Sequence, residues 1–111
     1  MIVTAPKLFG TVTRTRVLVA LALLGESYPR ELSRLLGIPL MSVQRAVNDF
    51  DREGVTASRT FGVQRQVRLN PRYFALAQLR ELLLQLSEAL PEERHAIESL
   101  RRRPRRAGKA I

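Results

Sequence analysis

At 111 residues the chain fits one domain, in which about 65% of the unfolded surface can be buried, and leaves no room for a second independent core. A composition of 45% apolar and 26% charged residues is that of a soluble globular protein, and the formal charge of +9 favours a polyanionic partner or an acidic surface. With no cysteine there are no disulfides, thiolate zinc sites or cysteine redox sensors, and the longest apolar run, residues 17–24, falls far short of the ~20 residues that cross a bilayer, so a cytoplasmic location away from membranes is expected.

Pro6 and Gly10 mark residues 1–10 as an N-terminal arm leading to a first helix, capped by Thr11 or Thr13 and stopped after Leu24 by Gly25. Its apolar residues from Val17 to Leu24 leave no polar face over two turns. That helix must be buried on more than one side, which a domain this small rarely achieves without a partner subunit. A short second helix begins near Pro29 and ends at Gly37, and a third runs from Pro39 or Leu40 to Glu53, with Gly54 as its stop. Val43, Ala46, Val47 and Phe50 form the apolar stripe of the third helix.

Over residues 55–69 the period changes to two. Val55, Ala57, Val67 and Leu69 alternate around Phe61, Gly62, Val63 and Gln64, which predicts two strands and a glycine-containing hairpin turn. Asn70 and Pro71 then suit the N-cap and first position of a further helix, in which Leu76, Leu79, Leu83, Leu86 and Leu90 follow heptad spacing. Pro91, Glu92 and Glu93 mark a last helix, and residues 104–111 read as a basic disordered tail. Residues 1–90 hold 12 basic and 7 acidic side chains, so the folded part is basic without that tail.

The stretch ELSRLLGIPLMSVQRAVNDF at 31–50 resembles the helix-turn-helix of bacterial and archaeal winged-helix regulators of the ArsR and MarR kind. LFGTVTRTR at 8–16 is similar to the segment that opens helix one in many of these proteins, and RTFGVQRQVRLN at 59–70 to their wing. The physical pattern agrees: Leu32, Leu36, Ile38, Val43 and Ala46 lie where two crossing helices meet, Ser33 is small at their approach, and Gly37 permits the turn. Pro39 departs from the pattern, standing where the family usually has a capping Ser or Thr.

The resemblance implies a mainly α fold with a small β-hairpin, a winged helix-turn-helix DNA-binding domain over 11–70, and the leucine-rich C-terminal helices over 71–103 are expected to serve dimerisation. In such a motif the third helix enters the major groove of double-stranded DNA, directing Leu40, Met41, Ser42, Gln44, Arg45 and Asn48 toward it. Arg45 is the first choice for a bidentate bond to guanine, Gln44 and Asn48 suit adenine, Leu40 or Met41 a thymine methyl, and Ser42 a phosphate. The hairpin would lay Arg59, Gln64, Arg65 and Arg68 along the backbone or minor groove, with Arg14, Arg16, Arg30 and Arg34 as further phosphate contacts. Against this, residues 40–54 carry two arginines and three acids, Asp49, Asp51 and Glu53.

Leu76, Leu79, Leu83, Leu86 and Leu90 are expected to form the interface of a homodimer, since Leu82 and Leu84 add apolar surface beside them. No cofactor or metal is expected, His95 being the only histidine, and no enzyme, because no phosphate loop, paired ligands or nucleophile elbow occurs. The competing expectation is a winged-helix protein-interaction module, or a DNA-binding partner subunit of a neighbouring gene product.

Overall fold

The computed structural model describes residues 9–102, so the predicted tail and most of the predicted arm lie outside the described residues. The described chain runs α1 (Val12–Leu24), β1 (Glu26–Ser27), α2 (Pro29–Leu36), α3 (Leu40–Arg52), β2 (Thr56–Phe61), β3 (Gln64–Leu69), α4 (Leu76–Leu86), a short 3-10 turn (Ser87–Ala89) and α5 (Pro91–Arg102). It is mainly α, with one three-stranded antiparallel sheet in the order β1-β3-β2.

The chain breaks fall where the local chemistry asks for them. The Thr11 hydroxyl accepts from the Arg14 amide at 3.1 Å and caps α1, while Pro29 occupies the first turn of α2. Between α2 and α3 the chain turns in three residues. Gly37 adopts φ 65° and ψ 34°, its amide bonds the Ser33 carbonyl, and the Ser33 hydroxyl donates to the Ile38 carbonyl at 2.6 Å. Nothing crowds a Cβ at Gly37, so Gly37→Ala is expected to cost about 1–2 kcal/mol through backbone strain alone, read as a lower urea midpoint with an unchanged slope.

α1 is the hub. Val17, Leu18, Val19, Ala20 and Leu21 are completely buried, enclosed by α2, α3, α4, α5 and β3. Burying each of its larger side chains contributes about 1.5–3 kcal/mol. The all-round apolarity that suggested a partner subunit is thus satisfied inside the chain. Phe50 and Val47 of α3, Val67 and Leu69 of β3, Leu83 of α4 and Ile97 of α5 complete the same core.

Two sequence expectations are corrected, and one strand was not anticipated. Asn70 and Pro71 do not start a helix. The Asn70 side chain accepts from the Arg72 amide at 2.9 Å and donates to the Gly54 carbonyl at 2.9 Å, which closes a turn, and α4 begins only at Leu76. The leucine series is also not one helix: α4 ends at Leu86, and the 3-10 turn intervenes before Leu90. Finally, the two-residue β1 pairs with β3, Glu26 opposite Arg68 and Ser27 opposite Val67.

α5 is fastened by an ion pair. Arg16 of α1 donates to Glu93 and, at 2.6 Å, to the Leu36 carbonyl at the end of α2. The second Glu93 carboxylate oxygen is buried without a hydrogen-bond partner. Burial pushes the Glu93 carboxyl above its ordinary value, and Arg16 offsets only part of that. A raised folded-state value stabilises the fold below about pH 4.5 and loses that contribution as pH climbs through the raised value. Urea titrations from pH 4 to 7 should therefore show wild type losing stability over a window in which Glu93→Gln stays flat.

Candidate nucleic-acid interface

The outer face of α3 carries Met41, Gln44, Arg45, Asn48 and Arg52, all exposed, at the spacing of one helical ridge. Its inner face, Val43, Ala46, Val47 and Phe50, is buried against α1 and the rest of the core. Pro39 at the N-cap offers no side-chain hydrogen bond, and the Ser42 and Val43 amides both turn back to its carbonyl, so the helix starts at Leu40. Leu40 and Ser42 are half-buried at the two flanks of the ridge.

A cleft lies on each side of that ridge. The larger, about 580 Å³, separates α3 from the hairpin and is lined by Tyr28, Arg30, Leu40, Gln44, Phe61 and Gln64, among others. The smaller, about 300 Å³, runs between α3 and the start of α1, past Thr13, Ser42 and Arg45.

The acids of α3 and its C-cap are each matched by an arginine. Asp49 meets Arg14 at 2.7 Å and Arg52 at 3.2 Å, Glu53 meets Arg14 at 3.5 Å, and Asp51 meets Arg65 at 2.8 Å. Two of these arginines come from outside the helix, so the negative balance of residues 40–54 is cancelled by α1 and the hairpin. The side chains of Gln44 and Arg45 make no hydrogen bond or ion pair among the described residues, which leaves both groups available on the ridge.

Asp51 joins the hairpin to the helix. It accepts from the Thr56 and Ser58 hydroxyls and from Arg65, whose guanidinium also reaches Asn48 Oδ1 at 2.8 Å and the Ser58 hydroxyl at 3.1 Å. The register explains the convergence. Thr56, Ser58 and Thr60 stand opposite Leu69, Val67 and Arg65, so these residues share the sheet face turned to α3. Burial alone would raise the Asp51 carboxyl. The hydrogen bonds from Ser58, Thr56 and Arg65, with the Arg65 charge, outweigh it and hold the group below its usual value.

The four hairpin residues named from sequence therefore do not form one surface. Arg59 and Gln64 lie near the tip, the Arg59 guanidinium 5.0 Å from the Phe61 ring centre and Gln64 at the edge of the larger cleft. Arg65 is turned inward as a strut. Arg68 sits at the base, opposite Ala57 and Glu26, in a separate cleft of about 420 Å³ with Leu24, Leu76 and Arg80. Arg14 and Arg16 are likewise occupied: Arg14 bonds the Phe9 carbonyl at 2.7 Å and stacks 4.7 Å over Phe50, and Arg16 holds Glu93. Arg30 and Arg34 are exposed.

The chain matches no protein-family model, no curated protein and no solved structure. What the site can do follows from its own chemistry. A ridge of two amides and one unpaired guanidinium, flanked by clefts, can bond base edges. Asn48 spends its Oδ1 acceptor on Arg65, so its Nδ2 donor is the group it has left to offer.

Among the leucines expected at a dimer interface, Leu79, Leu83 and Leu90 are buried in the chain's own core, and Leu76 and Leu86 pack partly against it. The apolar surface that α4 leaves open is Leu82 and Leu84, 43% and 41% exposed, with Phe74 just before the helix. Sequence reasoning did not pick out Asp51 as a junction, nor Tyr28, Phe61 and Val63 as lining of the larger cleft. The first was signalled by hydroxyls at alternate positions 56 and 58 just beyond an acid.

Proposed function

We propose that this protein is a winged helix-turn-helix transcriptional regulator of the ArsR or MarR kind, which binds double-stranded DNA sequence-selectively as a homodimer and has no catalytic activity. In this reading α2 and α3 are the helix-turn-helix, β2 and β3 the wing, and α3 the element in the major groove. A 13-residue helix about 10–12 Å across suits a groove ~12 Å wide.

One observation carries the reading: the acids of α3 are neutralised by intrachain arginines while Arg45 and Gln44 remain unengaged on the exposed ridge. Arg45 would read guanine, Gln44 and Asn48 purine edges, and Leu40 or Met41 a thymine methyl, with Ser42, Arg30 and Arg34 on phosphates. Arg65 acts by positioning the hairpin and Asn48.

Selection of bound duplexes from a random pool tests this directly. Enrichment of inverted half-sites about 10 base pairs apart is the expected result, and a pool that stays random overturns the reading. Sedimentation at micromolar concentration checks the homodimer, for which Leu82 and Leu84 offer the open apolar surface. The exposed Phe61 and Val63 that line the larger cleft, with Met41 exposed on α3, favour one alternative, a protein-interaction module. A specific protein retained by a column of this chain, with a blank DNA selection, would establish it.

A further inference from the structure

The hairpin tip is apolar in a way that its fold does not require. Val63 is 106% exposed and Phe61 51%, and neither belongs to the core. The turn between β2 and β3 has two residues, Gly62 at φ 62° and Val63, the pattern of a hairpin turn with glycine at its first central position. That geometry would accept a polar residue at position 63, and neither apolar group adds to the buried core.

The setting of the tip indicates its occupant. No acid stands between residues 54 and 70. The Arg59 guanidinium lies over the Phe61 ring, so a positive charge accompanies the apolar group. The tip is also stiffly carried, because Asp51 and Arg65 lock the hairpin to α3. Between tip and helix lies the 580 Å³ cleft, with Tyr28, Arg30 and Gln64 as polar lining.

Resting on the DNA reading above, we propose that the tip is a wedge for the DNA minor groove: Phe61 and Val63 press between base pairs at a flexible step while Arg59 meets the flanking phosphates. With α3 in the major groove, the sugar-phosphate strand that bounds it passes through the cleft and the tip faces the adjacent minor groove. Apolar wedges of this kind partly unstack a step and bend the duplex, most cheaply at pyrimidine–purine steps. The protein thereby gains selectivity at base pairs that α3 does not touch.

The test uses the full chain and a selected duplex with donor and acceptor dyes at its ends. Wild type is expected to shorten the end-to-end distance and to prefer a TA or CA step under the tip. The double substitution Phe61→Ser with Val63→Ser is expected to abolish the shortening and the step preference and to weaken binding about tenfold, with the salt dependence kept. Arg59→Ala should keep the bend and reduce the salt slope by about one. Unchanged melting of the double variant shows that it folds.

Arg45-dependent binding without any bend in wild type, or a double variant that bends DNA like wild type, overturns the wedge and leaves the DNA reading intact. A wild type that enriches no duplex overturns both. A double variant indistinguishable on DNA that no longer retains a protein held by wild type assigns the tip to protein contact and overturns the wedge as well.

Discussion

Asp51→Ala is expected to lower folding stability by about 2–3 kcal/mol, because one carboxylate accepts from two hydroxyls and a guanidinium and none of these has another charged acceptor. Water reaches Arg65, 30% exposed, so the loss should fall below that of breaking a fully buried pair. Urea unfolding measures it. Hydrogen exchange should locate it, with the amides of β2 and β3 losing protection before those of α1. Acid sensitivity should change too. A carboxyl held below its usual value stabilises the fold above about pH 3.8 and gives up that contribution as pH falls through the depressed value. The Ala variant should therefore show a flatter acid limb than wild type. A variant as stable as wild type at neutral pH would show that the junction between helix and hairpin is idle.

Arg45→Ala is expected to weaken binding to the selected DNA site by about 1–3 kcal/mol, roughly 5- to 150-fold, and to relax the choice of one base pair. Its effect on folding should stay within about 0.5 kcal/mol, since the side chain is exposed and holds no partner among the described residues. Arg14→Ala is the informative contrast. Arg14 bridges Asp49 and Glu53, bonds the Phe9 carbonyl and covers Phe50, so its loss should register in thermal unfolding. Gel shifts in which Arg45→Ala loses equally on the selected site and on random DNA would reduce it to a phosphate contact.

The helical frame was legible because its boundaries are written in residues with narrow backbone or capping preferences. Thr11, Pro29, Gly37 and Gly54 each mark an end that the structure places within a residue or two. Asn70 misled for a physical reason: its side chain accepts from the amide two residues on, as an N-cap does, in a turn that leads elsewhere. Heptad spacing at residues 76–90 reports an apolar stripe and is silent on whether the same chain or another covers it. Here Leu79 and Leu83 are buried in the chain's own core, on a helix that packs against α1. β1, two residues long, is too short for any alternation to show.

Of the candidate site, the α3 ridge followed from helical spacing, but the division of labour among arginines did not. Arg59 and Arg65 look equivalent in sequence. Only the register, Phe61 opposite Gln64, sends one outward and the other toward Asp51. Ion pairs between residues 35 apart, such as Arg14 with Asp49, depend on the packing of α1 against α3 and leave no local trace.

The central position of α1 also bears on how the molecule comes apart. A helix touched by every neighbouring layer cannot shed one of them without wetting its own side chains, so no fragment ending near residue 70 should persist as a folded miniature. Unfolding is expected as a single all-or-none step, with backbone amides in the middle of α1 the last to trade their protons for solvent deuterium. Any rearrangement on meeting a ligand would then be confined to the rim of the molecule.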